Sequence, residues 1–206
     1  MKKVILIFLI GSFAGISYAQ DDEYEMKTIF SKKSEIKGFG SFDLKLTDFN
    51  EDKALFIGGH GGVILNKKFI FGGGGYGLVT SNTFDLEGTN QELELYGGYG
   101  GIMLGYIIAP TEIIHVSFPV LLGAGGIEVA EQGAPIVNGE RSVLERTAFF
   151  VVEPGIEIEI NMTRFMRLAI GGGYRLVQGA NLDVGNIANE DLSSWSTGVS
   201  FKFGKF

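Results

Sequence analysis

The sequence predicts an all-β fold: an eight-stranded antiparallel transmembrane up-and-down β-barrel that follows a cleaved signal peptide. Three observations lead to this prediction. The chain begins like an exported protein but contains no later apolar run of membrane-helix length. Apolar and polar residues alternate with a period of two along most of it. The connectors between these segments alternate between short and long, as in outer-membrane barrels.

The composition fits one domain or one membrane barrel and excludes several other classes. The 206 residues include 32 glycines and no cysteine, and 45% of them are hydrophobic. Without cysteine the chain has no disulfide and no thiolate metal site. The formal net charge of −7, without a basic stripe, argues against a nucleic-acid partner.

The N-terminus has the three parts of an export signal. Lys2 and Lys3 form a positive start, Val4–Ile10 is apolar, and small residues precede a cleavage site after Ala19. A transmembrane anchor is the alternative, but the apolar run is too short to span a bilayer. The sequence therefore predicts a signal peptide over residues 1–19, and an exported apolar chain without a membrane helix favours a closed barrel.

The mature chain divides into an arm and a barrel. Residues 20–36 are charged and lack a sustained period, which predicts a mobile periplasmic arm. The barrel is predicted over residues 37–206, where extended segments alternate with connectors. We place the eight strands at residues 37–49, 53–65, 69–80, 93–108, 112–127, 147–160, 164–178 and 193–205.

The connectors separate the two ends of the barrel. The tight turns are NKK at 66–68, APTE at 109–112 and NMT at 161–163, and the long loops cover 81–92, 128–146 and 179–192. Only Asn50–Asp52, a short connector on the long-loop side, departs from this order. In outer-membrane barrels short turns face the periplasm and long loops face outward. The tight-turn end is therefore predicted to be periplasmic.

The two faces of the predicted strands differ in polarity. One face of the last three strands is apolar, with Phe150, Val152, Ile156, Ile158, Ile160, Met166, Leu168, Ile170, Val199, Phe201 and Phe203. The other face carries small or charged residues, which predicts an apolar exterior and a polar lumen. A soluble sandwich or a lipocalin-like barrel would show the same alternation with its apolar face inside. The export signal and the connector order favour the membrane barrel.

The glycine-rich stretch KKFIFGGGGYGLVTS, Lys67–Ser81, is interpreted as a strand that must bend. If NKK closes a hairpin, Leu65 lies opposite Phe69 and Gly61 lies opposite Gly73. Glycines relieve crowding inside a small barrel and let the sheet coil. A phosphate-binding loop would lead into a helix through Lys and Ser or Thr, whereas this stretch continues as a strand.

Three stretches also resemble small outer-membrane barrels of the Bacteroidetes group: GGHGGVILNKKFIFGGGGYGLV, FFVVEPGIEIEINMTRFMRLAIGGGYRLVQG and FKFGKF. The likeness covers most of residues 37–206 and implies an outer-membrane barrel. The family has no assigned activity, so the resemblance assigns no functional residue. The chain departs from outer-membrane proteins in general at the C-terminal assembly signal, because Phe206 shares its phase with Lys202 and Gly204 instead of Phe203.

Eight charged residues fall on the predicted inward face, four of each sign. They are Asp43, Glu153, Glu157 and Glu159 with Lys45, Arg167, Arg175 and Lys202. Buried charges persist when they are paired, so we interpret them as a lumen charge network, with a gated ion or proton path as the alternative. A three-residue NMT turn sets Glu157 opposite Arg167. The rest of the lumen is predicted to be filled by Phe56, His60, Tyr76 and Phe165.

One set of residues suggests hydrolysis. His115 and Ser117 share a face, with Glu128 further along, and they resemble the His-x-Ser pattern of outer-membrane lipid A deacylases. Both follow the tight turn APTE and so lie at the tight-turn end of their strand, whereas Glu128 lies at its other end, beyond hydrogen-bond reach. The sequence therefore predicts no enzymatic activity, no cofactor and, with two histidines and no cysteine, no metal site.

The predicted long loops are acidic. They contain Asp85, Glu87, Glu92, Glu131, Glu140, Glu145, Asp183, Glu190 and Asp191 against Arg141 and Arg146. Loops on a rigid scaffold often carry recognition. We therefore expect a structural or interaction protein with a protein partner at these loops, outer-membrane lipids and lipopolysaccharide around it, and the barrel-assembly machinery at its C-terminal strand. A narrow channel and a lipid A-modifying enzyme are the alternatives.

Overall fold

The computed structural model describes residues 35–49, 52–85, 92–132, 136–137, 140–141 and 143–206. The predicted signal peptide, its cleavage site and all but the last two residues of the predicted arm lie outside the described residues. So does Glu87 of the first long loop. What the sequence indicates there stays a prediction.

Eight antiparallel strands close into a barrel, which confirms the predicted fold class. They are β1 (Ile36–Phe49), β2 (Asp52–Leu65), β3 (Phe69–Leu78), β4 (Glu92–Ile108), β5 (Ile114–Glu131), β6 (Val143–Asn161), β7 (Met166–Gln178) and β8 (Ser194–Gly204). Each strand pairs with the next one along the chain, and β8 pairs with β1. The closed ring removes the open edges that would otherwise template pairing with another chain.

Strands β5 and β6 are longer than predicted because their ladder continues into the predicted loop. β5 ends at Glu131 instead of residue 127, and β6 begins at Val143 instead of residue 147. A short strand, Asn82–Asp85, pairs with the start of β4 on the same side. The long-loop end therefore carries a wall of paired strands that projects beyond the shorter ones.

The other described elements are short. They are the two-residue strands Ile136–Val137, Glu140–Arg141, Asn181–Leu182 and Ile187–Ala188 and a helix, α1, at Asn189–Leu192. Asp191 accepts a hydrogen bond from the backbone N–H of Ala188 and so caps α1. Within the described ranges, no helix has the length and apolar character needed to cross a membrane.

Residues 179–193 pack against the barrel at the long-loop end. Leu182, Ile187 and Leu192 are almost fully buried and belong to one apolar core with side chains of the barrel. Glu145 on β6 holds the same segment, accepting hydrogen bonds from the backbone N–H groups of Asp183 at 3.1 Å and Val184 at 2.8 Å. This segment, called the cap below, is fixed both by burial and by hydrogen bonds.

Side chains alternate between an exposed apolar exterior and a buried interior, as predicted. Ile158 is 53% exposed, whereas the next residue, Glu159, is 1% exposed. The same contrast separates Ile170, which is exposed, from Ala169, which is buried. Successive side chains of a strand point to opposite faces, so one period-two pattern determines both surfaces.

The hairpin of β2 and β3 has the predicted register. Leu65 lies opposite Phe69 and Gly61 opposite Gly73. Asn66 and Lys67 close the turn with left-handed φ angles of 50° and 63°. A Cβ atom at Gly72 would lie 2.0 Å from the carbonyl oxygen of Gly61, so only glycine allows these strands to approach so closely.

The hairpin of β6 and β7 does not have the predicted register. Glu157 lies opposite Gly171 instead of Arg167, and Leu168 lies opposite Ile160. The turn occupies residues 163–165, because the N–H of Met162 donates to the carbonyl of Met166 at 3.1 Å. The turn has three residues, as predicted, but it lies two positions later in the chain. Each residue of β6 therefore pairs with a residue of β7 four positions beyond its predicted partner. The shift is even, so the faces stay as predicted while the partners change.

Candidate functional site: the charged lumen

The lower half of the lumen, towards the tight turns, holds two carboxylates and two cations. Lys202 on β8 lies 2.5 Å from Glu157 and 2.7 Å from Glu159, both on β6. Arg167 on β7 lies 3.2 Å from Glu159. We call these four residues the lower cluster. Each carboxylate faces at least one cation, which is the condition under which charges can be buried.

Two polar residues on β5 join the lower cluster. His115 Nε2 lies 3.0 Å from Glu159 Oε2, and Ser117 Oγ donates to Glu157 at 3.1 Å. Both side chains are buried. Carboxylate oxygens can each accept more than one hydrogen bond, so His115 and Ser117 can contact the two glutamates in addition to the cations. Neither side chain is open to solvent.

The upper half of the lumen contains an ion pair between strands that are not neighbours. Lys45 on β1 lies 2.9 Å from Glu153 on β6. Glu153 also accepts hydrogen bonds from the hydroxyls of Tyr99 at 2.9 Å and Ser196 at 3.0 Å. Lys45 Nζ lies 3.6 Å from the centre of the Tyr76 ring, within cation–π distance. The pair therefore crosses the lumen and fills its width.

Asp43 is paired with a histidine instead of a lysine or arginine. His60 Nδ1 lies 2.7 Å from Asp43 Oδ2, and the Tyr76 hydroxyl donates to the same oxygen at 3.0 Å. Ser41 Oγ lies 2.8 Å from His60 Nδ1 and accepts from the backbone N–H of His60 at 2.9 Å. These contacts connect β1, β2 and β3 inside the barrel.

Arg175 is fully buried and has no carboxylate partner among the described residues. Its Nε donates to the carbonyl of Leu192 in the cap at 2.8 Å, and one terminal nitrogen donates to the carbonyl of Asp48 at 3.1 Å. The guanidinium carbon lies 5.1 to 5.5 Å from the ring centres of Phe49, Phe56 and Tyr99. Backbone dipoles and aromatic faces therefore stabilise this charge and connect the cap to the barrel.

Little space remains between these groups. A cavity of about 50 Å³ lies between the Lys45–Glu153 pair and Glu157. At about 10–15 Å³ for each water, it has room for roughly three to five water molecules. The lumen is therefore filled by side chains along most of its length, as expected for a barrel of eight strands.

The structure brings together six of the eight charges predicted for the lumen, as the Lys45–Glu153 pair and the lower cluster. Asp43 and Arg175 are also inside but contact none of the other six in the described part. The predicted inward position of Phe165 is wrong, because Phe165 belongs to the turn and is 61% exposed. Residue periodicity identifies inward positions, but it does not identify the partners that meet across the lumen.

The three residues considered for hydrolysis do not meet. His115 and Ser117 are engaged with the lower cluster, whereas Glu128 lies near the long-loop end, 4.0 Å from Arg146. Within the described ranges, no group of three or more His, Cys, Asp or Glu side chains is arranged to hold a metal ion. These contacts are those of a packed polar interior.

No protein-family model matches the chain, and no curated protein matches it. Solved structures of small outer-membrane barrels do resemble it. Neisserial surface protein A, from Neisseria, is 13% identical, with 84% of this chain and 99% of that chain covered and a TM-score of 0.53. The N-terminal β-barrel domain of OprF from Pseudomonas aeruginosa is 10% identical, with 81% and 98% covered and a TM-score of 0.50.

These likenesses support the fold and no more, because the identities are low. The chain folds like small eight-stranded outer-membrane barrels. The barrel fold implied by the resemblance is thus supported, whereas the assignment to the Bacteroidetes group stays a prediction.

Proposed function

We propose that the chain is an outer-membrane protein with a closed, salt-bridged lumen, which acts as a structural or interaction protein through its long-loop end. The observation that carries the proposal is the apolar exterior. Large apolar side chains are exposed on seven of the eight strands, among them Phe42, Phe71, Ile102, Leu122, Ile158, Ile170 and Phe203, and on β2 the outward-facing Val63 is half-buried. A soluble protein rarely exposes so continuous an apolar surface, whereas a bilayer would cover it.

Aromatic pairs at both ends of the exterior support the membrane location. Phe69 and Tyr106 stack edge to face near the tight turns, with ring centres 5.2 Å apart. Tyr174 and Trp195 do the same towards the long loops, at 5.0 Å. Trp195 and Phe203 are eight residues apart on β8, which is about 26 Å along the strand and about 20 Å along the axis of a barrel with tilted strands. Such girdles mark the two interfaces of a membrane barrel.

The interior supports a role other than conduction or catalysis. Arg175 and the cap close the long-loop half, and the lower cluster fills the tight-turn half. His115 and Ser117 are buried within that cluster, where lipid acyl chains have no access. The lumen charges are therefore proposed to specify and stabilise the barrel.

The long-loop end supports the interaction role. The wall of β4, β5 and β6 is longer than the 9–11 residues that a membrane strand needs, so it projects from the membrane. The cap braces it through Glu145. A braced wall is a rigid platform, and the acidic loops on it are the proposed contact surface for a protein partner.

Cell fractionation and planar-bilayer recording test the proposal together. We expect the full chain to fractionate with the outer membrane, to lose residues 1–19 by intact mass, and to run as a heat-modifiable band. In bilayers the purified barrel should give no stable nanosiemens openings. Recovery in the soluble periplasm would contradict the membrane location, and stable openings would favour the narrow channel.

The enzymatic alternative has its own test. Mass spectrometry of lipid A should give the same acylation pattern for the wild type and for the variant with His115→Ala and Ser117→Ala. Glu128→Ala serves as a control at the other end of β5. A change of acylation caused by His115→Ala or Ser117→Ala, but not by Glu128→Ala, would favour the enzyme.

A further inference from the structure

The tight-turn end of the barrel carries a cleft whose charged side chains are all basic. The cleft has a volume of about 580 Å³ and lies between the tight turns and Phe206. Its charged lining residues are Lys67, Arg164 and Arg167. An adjoining small cavity adds Lys37 and Lys205. This concentration of positive charge contrasts with the net charge of −7 of the whole chain.

Only part of this positive charge is compensated. Lys37 and Lys67 lie 2.9 and 3.7 Å from Glu35, and Lys37 also donates to the backbone oxygen of the C-terminal residue at 2.8 Å. The hydrogen bond from Lys37 lowers the pKa of Glu35, which keeps that carboxyl ionised. Arg164 and Lys205 form no ion pair with a carboxylate of the described residues. Two exposed cations beside the cleft therefore lack counter-ions there.

Arg167 gives a second, independent indication of a ligand. It is 4% exposed, and its Nε–H has no hydrogen-bond partner in the part of the chain that the structure describes. Its guanidinium carbon lies 4.0 Å from the centre of the Phe206 ring, and one terminal nitrogen contacts Glu159. A buried donor without an acceptor is costly. Arg167 also lines the cleft, so an anion bound there would place an acceptor beside this guanidinium.

We propose that this cleft binds a phosphate group. Guanidinium and ammonium groups together favour phosphate, because arginine can donate two parallel hydrogen bonds to its oxygens while lysine adds a point charge. Thr111 and Thr163 in the cleft lining carry hydroxyls that can donate as well. The phosphate is either free or carried by a phospholipid headgroup of the leaflet at this end. The lipid source rests on the proposed membrane location, and the free anion does not.

Two binding assays on the full chain test this site. In neutral detergent, inorganic phosphate is titrated and followed by the width of its ³¹P NMR signal. In nanodiscs that contain phosphatidylglycerol and phosphatidylcholine, native mass spectrometry measures which lipid stays on the released protein. The test variant combines Arg164→Gln and Lys205→Gln, which are exposed and outside the buried network. The control is Lys53→Gln, an exposed lysine at the opposite end.

We expect phosphate or phosphatidylglycerol binding to weaken about tenfold or more in the double variant, as for the loss of about 1.4 kcal/mol, and to be unchanged in the control. Effects on phosphate alone identify a free anion, and preferential loss of phosphatidylglycerol identifies the headgroup. Equal binding by wild type and double variant in both assays overturns the proposal, as does an equal loss with Lys53→Gln. A barrel outside the outer membrane would contradict the proposed function but leave the phosphate titration valid.

Discussion

The two halves of the lumen satisfy their buried charges in different ways. In the lower half, Lys202 and Arg167 face the carboxylates of Glu157 and Glu159. The upper half also holds one ion pair, but its arginine, Arg175, faces carbonyl oxygens and aromatic rings, without a carboxylate among the described residues. In a buried ion pair each charge depends on its partner, because removal of one side chain leaves the other buried without an opposite charge. When a charged side chain that is stabilised by backbone dipoles is removed, only neutral groups remain. The halves should therefore respond differently to mutation.

The largest effect is expected from Lys202→Met. Lys202 is the common partner of both glutamates in the lower cluster, and its removal leaves carboxylates buried with too little positive charge. We expect the free energy of unfolding to fall by about 3–5 kcal/mol, measured by urea titration of the heat-modifiable band in micelles.

The matched control for Lys202→Met is Lys53→Met. Lys53 is paired with Asp48, but its side chain is 88% exposed. Its removal should cost less than about 1 kcal/mol. Equal effects of the two substitutions would show that the lower cluster is hydrated like a surface.

A smaller effect is expected from Arg175→Met. The carbonyls of Leu192 and Asp48 lose their donor, and a buried unsatisfied acceptor costs about 1–3 kcal/mol. Because one of these carbonyls belongs to the cap, hydrogen exchange in residues 179–193 should accelerate more than in β8. Arg146→Met, at an exposed arginine on the same end, is the control. Uniform acceleration over the whole barrel would mean that Arg175 does not hold the cap specifically.

The pairing inside the lower cluster can be measured by two double-mutant cycles. Arg167→Met combined with Glu159→Gln should show an interaction free energy of about 0.5–3 kcal/mol, because the two side chains are in contact. Arg167→Met combined with Glu157→Gln should be closer to additive, because no contact joins them. A larger interaction in the second cycle would support the register that places Glu157 opposite Arg167.

The smallest effect is expected at the exposed rim. Glu128 and Arg146 are 4.0 Å apart, with side chains that are 45% and 73% exposed. Glu128→Gln should change the free energy of unfolding by less than about 1 kcal/mol, and added salt should reduce the difference further. A loss as large as that of Arg175→Met would mean that this pair braces the projecting wall.

Much of the fold could be predicted from the sequence because the alternation of side chains along a strand shows which face is buried. The alternation of Ile158 with Glu159 shows which face is lipid-exposed, and the matched glycines at 61 and 73 indicate the β2–β3 register. The β6–β7 turn could not be placed in the same way, since a turn at 161–163 and one at 163–165 keep the same residues inside. The cap was not predicted, because its three buried leucine and isoleucine side chains, Leu182, Ile187 and Leu192, lie within an otherwise polar sequence.

The sequence by itself determined the barrel, the inward position of its charges and the difference in connector length between its two ends. Those properties follow from the period of two and the lengths of connectors, which are local. Only the tertiary structure decided which charges meet: Lys45 contacts Glu153, 108 residues away, and Asp43 contacts His60 instead of a lysine. Closure of the ring brings non-neighbouring strands together across a lumen only a few side chains wide. The period-two pattern of the sequence contains no information about which side chains meet in this way.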